Sequence, residues 1–325
     1  MKIGNKSISA LIGEYGAFLA LILLASFLGA ISPEFRQISN LLNLLRQAAF
    51  NGLIAIGMTC VILSDGIDLS VGSVFALSAI ICAELLTMGV AAPLAILVAL
   101  VAGTLLGLVS GILVTKGRLQ PFIATLVTMS AYRGIAMILT DGKPISRLAN
   151  SIESESGAFL FKALGKGNLL IAESIKIPLP AIILIAFFAL FYFILNHTTF
   201  GRRIYATGSN AKCAKLVGVD IVKIKMSVYA ISGFLAALAG LMMISRVDSA
   251  QPTLGTSYEM DAIAAVALGG TSMSGGRGKI TGTIAGVLII AVLNNGLNIL
   301  GVTSYYQDVI KAIVILVAVL SDRKR

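Results

Sequence analysis

The stretch TTFGRRIYATGSNAKCAKLVGVDIVKIK, residues 198–225, interrupts an otherwise apolar chain and frames the prediction of its fold. It carries six Lys or Arg residues against one acid, Asp220, and long apolar runs lie on both sides of it. Basic loops between apolar helices are typical of the cytoplasmic side of membrane proteins. We therefore interpret residues 198–225 as a large cytoplasmic loop on which a soluble partner docks.

The composition is that of an integral membrane protein. Of the 325 residues, 57% are hydrophobic and only 12% are charged, and the mean hydropathy is +0.95. Soluble domains carry about 25% charged residues. The net charge of +10 is explained by basic cytoplasmic loops. Nucleic-acid binding is not predicted, because no recognition motif accompanies the charge.

The apolar runs predict an all-α integral membrane protein with about ten transmembrane helices, some short or broken, in a single transmembrane domain over residues 1–325. Gly and polar residues interrupt the second, third and eighth of these runs. The approximate spans are 14–32, 45–64, 68–88, 92–115, 121–140, 179–196, 226–246, 259–271, 280–300 and 305–321.

The distribution of basic residues predicts the orientation. With the N-terminus inside, ten spans place both termini in the cytoplasm, together with 15 of the 25 Lys and Arg residues. The segment 141–178 then lies outside and contains four acids beside five bases. It is either a plain connector or a surface that meets a soluble binding protein.

Two polar motifs break apolar runs. Residues 64–73, SDGIDLSVGS, have two possible interpretations. The preferred one is a cytoplasmic turn that caps the next helix, in which Asp68 is a structural acid. The other is a broken helix that lines a pathway. Residues 259–272, EMDAIAAVALGGTS, begin with acids that suit a helix N-terminus. They end at Gly269 and Gly270, which permit a sharp turn. This run predicts a half-helix that does not cross the membrane.

Three amides, Asn294, Asn295 and Asn298, lie within one apolar span. An amide without a partner is costly in lipid, so these side chains should face other helices or a wet cavity. Hydrogen bonding between helices is one interpretation. Contact with a neutral polyhydroxylated solute is the other, since an amide both donates to and accepts from hydroxyl groups.

Motifs for catalysis are missing from the sequence. The nearest approach to a phosphate-binding loop, GGRGKI at residues 275–280, has Met273 where the first glycine is needed and ends in Ile280 instead of Ser or Thr. No nucleophile and base set, dinucleotide fingerprint or metal cluster is present. We therefore predict neither an enzyme nor a metal site.

Four motifs, in collinear order from about residue 45 to the C-terminus, resemble the membrane permeases of ribose-type ABC importers. They are the GIDLSVGS core at 66–73, GRRIYATGSNAKCAKLVGV at 201–219, residues 249–283, and NNGLNILGVTSYYQ at 294–307. Cys213 stands where alanine is expected, and Ala312 where glycine is usual. Branched-chain amino-acid permeases resemble the chain more distantly.

The resemblance implies a set of partners and a place for each. Such permeases lie in the bacterial plasma membrane as a pair, here expected to be a homodimer. A separate ABC ATPase subunit binds ATP and magnesium, and this chain binds no cofactor directly. A periplasmic or lipid-anchored binding protein delivers the sugar. The expected ATPase-coupling residues are Gly201, Arg202, Arg203, Tyr205, Gly208, Asn210, Ala214 and Gly218.

The substrate and its route are predicted less sharply. Ribose is the sugar that the resemblance favours, and xylose, galactose or autoinducer-2 are the alternatives. The candidate pathway residues are Asp68, Gly269, Gly270, Asn294, Asn295 and Asn298. The rival function is a secondary sugar carrier driven by an ion gradient. Such a carrier should show acids or broken helices at corresponding midplane positions, and Glu84 is the main candidate acid.

Overall fold

Within residues 8–172 and 175–322, which the computed structural model describes, the chain is mostly helical. The long helices are α1 (Ile8–Ile31), α2 (Ile38–Leu63), α3 (Val71–Thr87), α4 (Ala92–Thr115), α5 (Pro121–Thr140), α7 (Leu179–His197), α10 (Ile221–Val247), α12 (Ile280–Ile299) and α13 (Ser304–Asp322). The shorter helices are α6 (Glu155–Lys166), α8 (Thr199–Ser209), α9 (Ala211–Leu216) and α11 (Tyr258–Leu268).

Two small antiparallel sheets complete the described structure. Strand β1 (Ile145–Ser146) pairs with β4 (Ser249–Ala250), with Ile145 opposite Ala250. Strand β2 (Asn168–Ala172) pairs with β3 (Ile175–Pro178), with Leu169 opposite Ile177. A 3-10 turn spans Leu148–Ser151. The described residues of the predicted outer segment 141–178 are therefore folded, and strand β1 ties them to the residues that follow α10.

The structure confirms an all-α membrane protein, and the predicted spans, some of which are expected to be short or broken, differ in length. Among the described residues, six helices are long and apolar enough to cross a membrane: α2, α4, α5, α7, α10 and α12. Helix α3 begins at Val71, three residues later than the predicted span. Helix α11 has 11 residues, about 16 Å at 1.5 Å per residue, or half of a hydrocarbon core of about 30 Å. The prediction of a half-helix there is confirmed.

Helices α2 and α10 form the centre of the bundle. In their most apolar windows, 78% and 72% of residues are buried, whereas the value is 28% for each of α4, α5 and α7. Helix α10 packs against α2, α3 and α4. The peripheral helices expose Leu, Ile and Phe side chains at helical spacing, as expected of surfaces that face lipid.

Glycines allow the closest contacts between helices. A methyl group on Gly107 of α4 would overlap the carbonyl oxygen of Tyr229 on α10, and Gly103 and Gly233 approach each other in the same interface. In the same way, Gly286 of α12 lies against the backbone of Ala265 in α11, and Gly282 lies against Gly269 just after α11. Small residues let backbones approach where lipid supplies no hydrophobic drive for helix association.

The segment between α2 and α3 enters the bundle instead of turning at its surface. Tyr229 donates a 3.0 Å hydrogen bond to the carbonyl oxygen of Ile67, and Ser232 donates a 2.9 Å bond to Asp68. Ser232 is the twelfth of the 27 residues of α10, so Asp68 lies near the middle of that helix. This placement corrects the preferred interpretation of residues 64–73 as a surface turn.

Asp68 holds this break together. Its carboxylate accepts the backbone N–H of Ser70 at 3.0 Å and the Ser70 hydroxyl at 2.6 Å, in addition to Ser232. The Asp68 side chain is fully buried. The Ser70 side chain does not cap α3. The Asp68 carboxylate instead accepts the Ser70 N–H, which has no partner within a helix because the chain is broken there. Asp68 thus has the structural role that the sequence predicts, at a different depth.

The two ends of the bundle differ in character. We call the end formed by α8, α9 and residues 271–279 the basic end. The opposite end carries the two sheets and α6, whose Gly165 lies against the carbonyl oxygen of Met242 near the end of α10. Helices α4 and α10 run between these two ends in opposite directions.

We predict that Gly107→Val destabilises the protein by about 1–3 kcal/mol, because the added side chain overlaps the Tyr229 carbonyl. The melting temperature in detergent measures the change. Gly134→Val is the matched control, since nothing lies within 4 Å of a methyl group at that helix position. Equal melting temperatures for the two variants would contradict this packing.

We predict that Asp68→Leu costs about 3 kcal/mol of stability, because buried donors on Ser70 and Ser232 lose their acceptor. Asp68→Asn keeps one acceptor oxygen of nearly the same size and should cost less. Thermal unfolding in detergent separates the two variants. An Asp68→Leu protein as stable as the unsubstituted chain would show that the break is held by other contacts.

Candidate functional site

Each helix at the basic end begins at a residue that caps it. Thr198 accepts the backbone N–H of Gly201 at 3.1 Å, Asn210 accepts that of Cys213 at 3.0 Å, and Asp220 accepts that of Lys223 at 3.1 Å. Side-chain oxygens at these positions satisfy N–H groups that the first helical turn leaves free. Local sequence signals thus divide residues 198–225 into α8, α9 and the start of α10.

The Lys223 N–H also acts on the charge of Asp220. Its hydrogen bond favours the ionised carboxylate and holds the pKa of Asp220 below its ordinary value. Asp220 therefore keeps its negative charge on the exposed surface of the basic end.

One face of α8 is fastened to the bundle. Gly201 lies so close to the end of α7 that a methyl group would overlap the carbonyl oxygen of Leu195. Tyr205 donates a 3.0 Å hydrogen bond to the carbonyl oxygen of Gly278. A methyl group on Gly208 would overlap the carbonyl oxygen of Leu63, the last residue of α2. Three of the predicted coupling residues are therefore inward contacts of α8.

The segment 271–279, which we call the connector, completes this contact. The N–H of Gly276 donates to the carbonyl oxygen of Leu63 at 3.0 Å, and Ser209 donates to the Gly276 carbonyl at 3.3 Å. Gly275 and Gly276 have positive φ values of 79° and 68°. A side chain on Gly276 would overlap Ser209. Packing against α8 therefore explains the glycine-rich run that superficially resembles a phosphate-binding loop.

The other face of α8 and α9 is open. Arg202 and Arg203 are exposed, whereas Ala214 is buried and holds α9 in place. Leu216 is 86% exposed and Val217 is 80% exposed, just before Gly218, which has a φ of +84°. The sequence prediction missed these two apolar residues, because nothing in their local pattern distinguishes them from buried ones. Together the exposed residues form a basic surface with an apolar tip, which we call the α8–α9 surface.

The candidate pathway residues do not come together. Asp68 is buried near the middle of α10, whereas Gly269 and Gly270 lie where α11 meets the connector at the basic end. Asn295 lies near the opposite end of α12. The structure thus distributes these residues over three levels of the bundle.

The three amides have three different surroundings. Asn295 is buried and forms a reciprocal pair with Asn40 of α2, at 2.8 and 2.9 Å. Asn298 is exposed and accepts a 2.8 Å hydrogen bond from Gln307. The Oδ1 atom of Asn294 is buried and has no hydrogen-bond partner. Bonding between helices therefore accounts for Asn295, and Asn294 keeps an acceptor that a solute hydroxyl group would satisfy.

Charged side chains within the helices were not among the predicted site residues. Arg133 of α5 donates a hydrogen bond to the carbonyl oxygen of Pro252. It donates a second, of 2.8 Å, to the carbonyl oxygen of Leu254. Lys311 of α13 lies 3.5 Å from the carboxylate of Asp261 on α11. Isolated charges in apolar runs were the signal available for finding them. Among the described residues, no group of three or more His, Cys, Asp or Glu side chains could hold a metal ion.

Comparisons with known proteins give a consistent result. Residues 40–319 match the family model described as branched-chain amino acid transport system / permease component. The ribose import permease protein of Bacillus subtilis (strain 168) is 50% identical over 96% of this chain and 93% of its own length. The corresponding protein of Escherichia coli (strain K12) is 47% identical over 96% of this chain and 94% of its own.

A relative with another sugar in its name is less similar. The D-allose transport system permease protein of Escherichia coli (strain K12) is 38% identical over 95% of this chain and 91% of its own length. No solved structure shows a significant match. The near-full-length likeness and the apolar helices place the chain in the bacterial inner membrane as a multi-pass protein, and it belongs to the family of ribose-type ABC sugar importer permeases.

Proposed function

We propose that this chain is the membrane permease of an ATP-driven importer that moves ribose into the cell. The observation that carries the proposal is the 50% identity, over nearly the full length, to proteins named ribose import permease from two bacteria. Proteins named for D-allose and xylose are 38% and 34% identical. Ribose is therefore favoured over xylose, and galactose and autoinducer-2 are the other candidates to be tested.

The α8–α9 surface is proposed as the docking site of a separate ABC ATPase subunit. Arg202 and Arg203 supply the charge, and the exposed Leu216 and Val217 supply apolar area of the kind that anchors protein interfaces. ATP and magnesium bind to that partner. Because α8 contacts both the end of α2 and the connector, a movement of this surface reaches two elements of the bundle directly.

The basic end is accordingly proposed to face the cytoplasm, with both termini on the same side. The six Lys and Arg residues of 198–225, together with Arg277 and Lys279 of the connector, support this orientation. The opposite end then faces the binding protein that delivers the sugar. A cavity of about 430 Å³ lies there between the α3–α4 turn and residues 151–160 and is a candidate for part of that contact.

Transport is proposed to proceed by alternating access in a pair of identical permeases. Binding of ATP to the motor subunits favours one arrangement of the helices, and the sugar cavity opens to one side at a time. Asn294 is the candidate among the three amides that best suits sugar contact, since its acceptor is unused. The permease needs little affinity of its own because the external protein captures the sugar.

Reconstitution in liposomes tests the substrate. The chain, its candidate ATPase and its binding protein are combined, and uptake is measured separately for ribose, xylose, galactose and autoinducer-2. We expect ATP-dependent uptake of ribose and stimulation of ATP hydrolysis by that sugar alone. Uptake driven by an ion gradient without any ATPase would instead establish a secondary carrier.

Charge reversal tests the docking surface. We predict that Arg202→Glu with Arg203→Glu weakens ATPase binding about tenfold or more, a change equivalent to about 1.4 kcal/mol. Co-purification and titration of the ATPase in detergent measure this affinity. Lys162→Glu with Lys166→Glu, an equal charge change on exposed residues of α6 at the opposite end, is the control. Equal affinities in both variants would exclude this surface.

A further inference from the structure

The proposed function gives no part to three charged side chains of the bundle, Arg133, Asp261 and Lys311. Each lies in α11 or contacts α11 or the loop before it. Arg133 holds the carbonyl oxygens of Pro252 and Leu254, in the loop that leads into this half-helix. Asp261 lies in the first turn of α11 itself, and Lys311 reaches it from α13. Such side chains are costly within a membrane and are retained mainly where they serve function.

The Asp261–Lys311 pair is well shielded. The Lys311 amine and the Asp261 carboxylate lie 3.5 Å apart. The Asp261 side chain is 7% exposed, and the Lys311 side chain is 18% exposed. Lys311 is the eighth of the 19 residues of α13, well inside the helix. In such surroundings neither charge is easily separated from the other, because removing one partner leaves a buried charge without compensation.

Helix α13 depends on α11 for its place in the bundle. Among the described residues, its principal packing partner is α11. Its other faces expose Val309, Ile313 and Leu316, each by more than half. A helix attached along one edge follows the element that holds it, and the ion pair is a polar contact across that edge.

Helix α11 in turn is tied to the docking surface. Its C-terminal end passes through Gly269 and Gly270 into the connector. The connector is bonded to α8 through the Tyr205–Gly278 contact and to the end of α2 through Gly276. A chain of direct contacts therefore runs from the α8–α9 surface through the connector to α11, and through the ion pair to α13.

We infer that Asp261 and Lys311 are positioning residues that make α13 move with α11 during the transport cycle, so that the pair couples ATP hydrolysis to sugar movement. The inference rests on the proposed function, in which the α8–α9 surface binds the motor. The ion pair acts as a fixed joint between the half-helix and the peripheral helix, while the motor moves the connector.

The decisive variant replaces both charges by neutral groups, Asp261→Asn with Lys311→Met. Neutralising both members of a buried pair is often compatible with folding, whereas removing one is strongly destabilising. The measured quantity is the number of sugar molecules taken up per ATP hydrolysed by the complete complex in liposomes. We expect normal assembly with the ATPase, normal basal hydrolysis, and a ratio that falls about tenfold.

Two further variants separate coupling from packing. Lys311→Arg keeps the charge and should retain most of the ratio. Thr59→Val with Thr283→Val removes a buried hydroxyl pair, 2.9 Å apart, between α2 and α12, and should leave the ratio unchanged. A low ratio in this threonine control would show that any lost polar contact has the same effect, and would overturn the inference.

The remaining outcomes also decide the question. A normal ratio in the doubly neutral variant would overturn the inference, and so would failure of that variant to assemble, since the pair would then serve stability alone. A ratio as low for Lys311→Arg as for the neutral variant would assign the effect to side-chain shape. Absence of ATP-driven uptake by the unsubstituted complex would instead contradict the proposed function itself.

Discussion

Hydrogen bonding of backbone inside the membrane is the constraint on which this structure depends. Lipid offers no partner to a free N–H or C=O group, so each break in a helix must be satisfied by the protein. Asp68 meets this need between α2 and α3 by accepting from Ser70 and Ser232. Arg133 meets it before α11 by donating to two carbonyl oxygens. The other helices are arranged around these two breaks.

The breaks also connect the membrane interior to the basic end. The end of α2 and the connector after α11 both contact α8, the first through the Leu63 carbonyl and the second through Gly276 and Gly278. Unbroken helices would present only their ends to a docking partner. In the proposed complex, a motor subunit docked on α8 contacts the elements beside both breaks, the end of α2 and the connector, and each of these leads to half depth in the bundle.

Local sequence signals predicted much of this arrangement. The charge of residues 198–225 predicted a polar loop between apolar helices, and the structure divides that loop into α8, α9 and the start of α10 at the caps Thr198, Asn210 and Asp220. The acids at 259 and 261, with the Gly-Gly pair after them, predicted a half-helix. Each of these signals acts over a few residues, so the chain itself carries the information.

The sequence by itself determined the membrane class, the basic end and the family, because composition, charge bias and collinear motifs need no knowledge of contacts. Only the tertiary structure decided the depth of Asp68, the pairing of Asn295 with Asn40, and the meeting of Asp261 with Lys311. These partners are separated by between 50 and 255 positions in the chain. No local pattern specifies which residue will lie opposite another once the helices have packed.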